Sequence, residues 1–407
     1  MNSGPLAGVG ILDLTTVLMG PFATQLLACL GAEVIKVEPP EGDGIRQIGP
    51  MRNPGMGHIF LHANRGKRSV ALDLKQPAAR TALLRLAEGA DVFISNVRPA
   101  AMKRLGLDYE ALAARNPRLL YVTCCGFGQQ GPAAAKPAYD DLIQGAAGIP
   151  WLMQQAGSAA PAYAPVTIVD RLTGLHAVYA VCAALYAREK TGKGQAVEVP
   201  MFEAAVQFVL GDHLGGLTFA PPLGDPGYAR LLTAHRRPYE TRDGYLCVLV
   251  YNDKQWRSFC AAIGEPERFE RDARFASQTA RGEHIDEVYA WLAGVLRTRT
   301  TAEWARLLEA ADIPHQPMSS PADLLEDPHL VATGFVRTED HPSEGALRAL
   351  GNPVSWSATP PAAPAPAPRL GEHTIEVLRA AGLSTAEIEG LLASGAARAQ
   401  PTGRKRR

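Results

Sequence analysis

The sequence predicts an α/β protein built on a parallel sheet, with a second, smaller α+β domain. Three observations lead there. Residues 9–38 read strand, helix, strand: VGILDLT and AEVIKVEPP are apolar strand runs, and GPFATQLLACLG between them is a short amphipathic helix stopped by Gly31. A parallel βαβ unit needs that arrangement, because parallel neighbours must be joined by a crossover. The alternation then repeats along the chain, which is the pattern of a parallel sheet with covering helices. It changes near Pro221, in a chain of 407 residues that is long enough for two domains.

The later elements follow in order. RSVALDL, ADVFISN and RLLYVTCC are strands, separated by helical stretches such as PAARTALLRLAEG and YEALAARNP. After Asp170 comes LTGLHAVYAVCAALYAREKTG, an apolar helix ending in a basic turn and a glycine, then QAVEVPM as a strand and MFEAAVQFVLGDHLGGL as a helix. From Pro221 to about Pro317, the hairpin RRPYETRDGYLCVLVY, with Asp243-Gly244 at its turn, precedes several helices. Pro321 to Pro342 reads as a returning linker, ALRALGNPVSW as short strands, and the Pro/Ala run ATPPAAPAPAPRLGEH as extended chain over the surface. The last amphipathic helices run from His373 to Leu392, and Gly403–Arg407 is a basic, solvated tail.

Lys plus Arg equals Asp plus Glu at 41 each. Without a net field, neither a nucleic acid nor an anionic membrane surface is an expected partner. The most apolar run, Leu175 to Ala187, is shorter than the roughly 20 residues that cross a bilayer. The first residues lack a basic leader and apolar core, so a cytoplasmic location is expected. Six cysteines without CxxC or disulfide-like spacing suit a reduced compartment. His58 and His62 have metal-ligand spacing but no adjoining Glu and no third ligand, so no metal is expected.

Several motifs compete for a function. Glu38 stands about where a dinucleotide-binding unit puts its ribose acid, yet the first turn, TTVLMGPF, has no glycine-rich phosphate loop. GFGQQG, from Gly126, matches G-x-G-x-x-G after a strand, but Pro132 and a loop-like AAAKPAY follow where a helix should start. No G-x-S-x-G elbow and no Walker A sequence occurs. Cys124 and Cys125 end an apolar strand and read as buried thiols. Cations at Arg65, Lys67, Arg68, Lys75, Arg98, Lys103 and Arg104 gather where strands end, which suits a phosphorylated ligand. In PVTIVDRLTGL, a single aspartate, Asp170, follows an apolar run and precedes small and apolar residues. Local sequence leaves two readings open for it, a helix N-cap or a reacting group.

PLAGVGILDLT, GPFATQLLACLGAEVIKVEPP, NRGKRSVALDLK, RLGLDYEAL and GFGQQGP, then AYD, VDRLTG, TGKGQ, DPHL and LGEHT, together resemble the family III CoA-transferases across nearly the whole chain. The resemblance implies a Rossmann-like large domain built from both chain ends, a small domain between them, and an interlocked, ring-like homodimer. The expected boundaries are 1–220 for the N-terminal part of the large domain, 221–320 for the small domain, 321–396 for a linker and C-terminal return, and 397–407 for the basic tail. Asp170 becomes the expected nucleophile. CoA contacts carry over to Leu18, Met19, Leu72, Lys75, Asn96, Val97, Arg98, Arg104 and Tyr139, and to Lys136, which is offset by one position from the family lysine.

The implied activity moves CoA from a thioester such as succinyl-CoA to a small acid, with dicarboxylic acids among the expected acceptors, through an aspartyl intermediate. Acyl-CoA is then a substrate, and no tightly bound cofactor is implied. Leu18 stands where formyl-CoA transferase has a glutamine, and that enzyme's glycine-rich loop has no counterpart between Gly215 and Arg237, so oxalate is not the expected acceptor. The α-methylacyl-CoA racemase branch carries His-Asp where this chain has Tyr139-Asp140, which favours transfer over racemisation. Arg236 and Arg237 could hold the distal carboxylate of a dicarboxylic acceptor. The alternatives are racemisation, a nicotinamide-dependent oxidoreductase using the Gly126 loop, and a noncatalytic acyl-CoA binder.

Overall fold

A computed structural model describes residues 3–400; the basic end, Gly403–Arg407, lies outside them. The chain forms two compact units. One consists of the chain up to Ile143, Val166–Val206, and the chain from His329 onward; the other of Gln144–Pro165 and Gln207–Pro328. Residues 144–165, which the sequence reading leaves within 1–220, pack with the second unit.

The first unit is mixed α/β around a mostly parallel sheet. β1 (Gly10–Asp13), β2 (Glu33–Glu38), β3 (Lys67–Leu72), β4 (Val92–Ser95), β5 (Leu120–Cys125) and β6 (Gln195–Pro200) run parallel in the order β3-β2-β1-β4-β5-β6. A two-residue strand, Ala397–Arg398, pairs antiparallel outside β3. The order reverses between β1 and β4, as in doubly wound sheets, whose ligands bind outside the carboxyl ends at that point. The central strands are mainly apolar, as a sheet covered on both faces requires, and Leu12, Val92, Phe93, Ile94, Leu120 and Val122 are buried. Phe93 and Tyr121 stack across β4 and β5 with centroids 5.2 Å apart.

The chain end completes this core. Helices Thr374–Ala380 and Thr385–Ala393 bring Val377, Leu378, Ile388 and Leu391 into one cluster with Leu72, Leu83 and Leu86. The Pro/Ala run has no regular structure, but it does not lie wholly on the surface as expected. Ala367 is buried, its carbonyl accepts from His341 Nε2 at 2.8 Å, and the Ala365 carbonyl accepts from the Gly66 amide at 2.8 Å. The second half of the expected linker is a strand, Val336–His341, because it pairs antiparallel with Gly345–Leu350.

The helix after Asp170 extends from Ile168 to Thr191, longer than its apolar run, and by length and composition it could cross a membrane, contrary to the shorter reading. In this fold Val169, Thr173, Ala177 and Val181 are buried, and Gly174 lets the helix Met19–Cys29 come so close that a Cβ would sit 2.8 Å from the Phe22 ring. The second unit carries an antiparallel sheet of Tyr239–Glu240, Tyr245–Val248 and His315–Pro317. Its core gathers Trp256, Phe259, Phe275, Leu292, Trp304 and Leu308. The third strand, HQP, is too short to announce itself by period.

Candidate active site

The reversal of strand order opens a cleft within the first unit. Thr16, Val17, Leu18 and Met19 after β1, Asn96 to Pro99 after β4, and Cys124 to Gly126 at the end of β5 line it, together with Lys136, Tyr139 and Asp170. The β1 loop is held from several sides. Asn96 accepts from the Thr16 amide at 2.9 Å and donates to the Thr16 carbonyl at 2.8 Å. Asp43 accepts from the Val17 amide at 3.1 Å and from Lys36 Nζ at 2.9 Å, and Lys36 also donates to the Thr15 carbonyl at 2.8 Å. Val17 needs this support, because its φ of 68° lies in the left-handed region that a β-branched residue rarely enters.

Beneath the loop, Asp13 accepts from Thr15 Oγ1 at 2.5 Å, Thr24 Oγ1 at 2.6 Å and Lys67 Nζ at 3.1 Å. Burial alone would raise the Asp13 pKa, but Lys67 and Lys36 overcome it and hold the carboxyl below its ordinary value. Burial is also the largest influence on Lys67, drawing it down to about 8 despite Asp13.

Asp170 occupies the third position of its helix. The cap position belongs to Thr167, whose side chain makes no capping hydrogen bond. Asp140 supplies the cap instead, its Oδ2 accepting from the Val169 amide at 2.8 Å and the Asp170 amide at 2.9 Å. The plain N-cap reading of Asp170 is therefore corrected. Among the described residues its carboxyl has no hydrogen-bond partner. Burial first, and then the neighbouring Asp140 carboxylate, push it up to about 7; Arg171 acts in the opposite sense. The Arg171 guanidinium lies 4.9 Å over the Phe22 ring.

Seven of the expected CoA contacts, Leu18, Met19, Asn96, Val97, Arg98, Lys136 and Tyr139, line the cleft with Asp170. Leu72, Lys75 and Arg104 do not. Leu72 is buried at the end of β3 beside Ala397, while Lys75 and Arg104 are exposed. Arg98 and Lys136 are exposed cations that make no ion pair among the described residues. Arg236 and Arg237 are exposed in the second unit, in the loop before Tyr239–Glu240. Sequence reasoning missed Val17, Gln129 and the capping role of Asp140; the usable signal for the loop was Lys36, a charge inside an apolar strand that must find buried partners.

The sequence model of CoA-transferase family III matches residues 6–374. This chain belongs to that family. It is 35% identical to a succinate–glutarate CoA-transferase of Agrobacterium fabrum, over 92% of this chain and 95% of the relative. It is 32% identical to a formyl-CoA:oxalate CoA-transferase of Bradyrhizobium diazoefficiens, over 96% and 97%. A solved CAIB/BAIF family protein from Brucella suis matches with a TM-score of 0.79 at 31% identity, covering 93% of this chain and 100% of that one. As a family III CoA-transferase, the chain is an enzyme acting on CoA thioesters.

The competing motifs have other tasks in this family III CoA-transferase. Glu38, the apparent ribose acid, is held by Arg46 through two bonds of 2.7 and 2.8 Å and by Ser69 Oγ at 2.8 Å. In the glycine loop, the Gly128 and Gln129 amides donate to Glu203 and Glu198 at 3.0 and 2.9 Å, so carboxylates occupy donors that a dinucleotide phosphate would need. The cations from Arg65 to Arg68 stand at the start of β3, not at its carboxyl end, which corrects their expected place in the crevice. Arg65 pairs with Glu339, and Arg68 with Glu33 and Glu376. Burial pushes the Cys125 thiol up to about 12 and the Cys124 thiol up as well, away from nucleophilic character.

Proposed function

We propose that this enzyme transfers CoA from succinyl-CoA or a similar thioester to a short dicarboxylic acid, with Asp170 carrying the exchanging groups. One observation carries this reading: a carboxyl free of hydrogen bonds among the described residues, half-buried in a cleft lined by the residues expected to meet CoA. An ionised Asp170 attacks the thioester carbonyl, the carbon–sulfur bond breaks, and CoA leaves as thiolate from a mixed anhydride. The thiolate returns to the aspartyl carbonyl, releasing the donor acid and leaving an aspartyl-CoA thioester. The acceptor carboxylate attacks that thioester, and the thiolate finally takes the acceptor's acyl carbon and restores Asp170. No net proton moves, so one carboxylate in a poorly hydrated site can serve every step.

The Agrobacterium, mouse and human relatives named for succinate or succinyl-CoA with glutarate support a dicarboxylate pair for this chain. Leu18 in the cleft offers no hydrogen bond to a small polar acceptor, which favours a longer acid over oxalate. Exposed Arg98 and Lys136 suit the CoA phosphates. Leu175, Tyr179 and Tyr186 form an exposed apolar row at helical spacing, which supports a homodimer. Six free cysteines fit the cytoplasm.

The test is to incubate the protein with succinyl-CoA and a panel of short mono- and dicarboxylic acids and to read new thioesters by mass. Glutaryl-CoA or another dicarboxylyl-CoA should form, and Asp170→Ala should bind CoA yet form none. Turnover retained in Asp170→Ala refutes the mechanism.

A further inference from the structure

The first turn of the Ile168–Thr191 helix presents two carboxylates with one set of backbone donors. Asp140, on the helix Asp140–Ala146, holds the Val169 and Asp170 amides at 2.8 and 2.9 Å, whereas the Asp170 carboxyl accepts nothing among the described residues. Free amides of a first helical turn are the nearest donors to a carboxyl at its third position, and they bind anions well. Left to itself, Asp170 would become the cap. A carboxylate bound in that way has its lone pairs engaged and its charge stabilised, and both make it a poor nucleophile.

We propose that Asp140 is a positioning residue for Asp170: by occupying the helix-end amides and placing a second negative charge beside the nucleophile, it keeps the Asp170 carboxylate unbonded and reactive. The inference rests on the reading of Asp170 as the nucleophile. Forming the anhydride or the thioester removes the charge of Asp170, so the repulsion from Asp140 is relieved as the covalent step proceeds. The groups around the Asp170 carboxyl are Arg171 on its own helix, Asp140 and Asp141 on the helix Asp140–Ala146, and, lining the same cleft, Arg98, Cys125, Lys136 and Tyr139.

Two variants separate charge from hydrogen bonding. Asp140→Asn keeps an acceptor for both amides and removes the charge; Asp140→Ala removes both. The first measurement needs no turnover. The melting-temperature difference that Asp170→Asn makes in each background is followed from about pH 4 to about pH 9; its midpoint lies halfway between the unfolded and folded titrations of Asp170 and moves with the folded one. The second is the pH profile of kcat/KM with succinyl-CoA and a dicarboxylic acceptor. The expected result is that the acid limb moves down by about one pH unit in Asp140→Asn and further in Asp140→Ala, and that the stability midpoint moves down with it by about half as much. The alkaline plateau should fall in the order wild type, Asp140→Asn, Asp140→Ala. A midpoint that neither variant moves overturns the proposal, and so does an Asp140→Ala enzyme with the full plateau. Turnover persisting in Asp170→Ala would remove the nucleophile reading itself, an outcome that the stability midpoint does not depend on and therefore distinguishes.

Discussion

At the residue scale, stability and the proposed chemistry conflict at Asp170, the nucleophile of that proposal. Its carboxyl is pushed up to about 7, chiefly by burial, so the free enzyme should gain kcat/KM as pH rises and level off above about pH 8. A pH–rate profile without an acid limb near 7 would refute an ionised Asp170 as the attacking group. The same displacement costs stability. The unfolded chain releases the proton near the ordinary aspartate value of 3.8 and the folded chain only near 7, so folding weakens as pH rises between those values and by no more above them. Carrying the carboxyl that far corresponds to at most about 4 kcal/mol, and partial contact with water reduces that to about 2 kcal/mol. Asp170→Asn should accordingly match the wild type near pH 4 and exceed it in melting temperature at pH 8. Equal melting curves at pH 8 would contradict the burial on which the argument depends.

At the element scale, the position of Asp170 depends on how two helices cross. Gly174 lies one turn beyond Asp170, and a Cβ there would meet the Phe22 ring at 2.8 Å and the Met19 carbonyl at 3.0 Å. Gly174→Ala should therefore push the Ile168–Thr191 helix away from the helix that carries Met19. The expected cost is about 1–3 kcal/mol in urea unfolding, with kcat falling more than CoA affinity. An alanine variant with wild-type kcat would show that the crossing tolerates the shift. The helix was readable from its apolar run and its closing basic turn and glycine, whereas the crossing at Gly174 and the cap were not. Asp140 lies thirty positions before Asp170, and no local pattern pairs residues so distant in sequence.

At the scale of the whole chain, the sheet of the first unit is finished by its last residues. Val377, Leu378, Leu383, Ile388 and Leu391 complete the cluster around Leu72 and Leu83, and Ala397–Arg398 close the edge of β3. Each such side chain contributes about 1.5–3 kcal/mol when fully buried, and together they rival the about 5–15 kcal/mol that separates folded from unfolded domains. A chain ending before Thr374 should be insoluble or bind hydrophobic dyes, and a soluble, cooperatively melting truncation would contradict this. The buried pair of Glu38 and Arg46 ties the end of β2 to the Asp43 loop in the same way. Arg46→Met leaves the Glu38 charge unpaired and should cost about 3–5 kcal/mol in unfolding free energy.

The sequence by itself determined the parallel α/β class, the six parallel strands, the family and the isolation of Asp170, because these rest on local periodicity and on motifs in fixed order. Only the tertiary structure decided what the charged residues do. It gave Glu38 to Arg46, the glycine-loop amides to Glu198 and Glu203, and the helix cap to Asp140. A charge in a sequence names no partner, and inside a fold its partner is whichever opposite group or donor the crossing of distant elements brings within hydrogen-bonding distance.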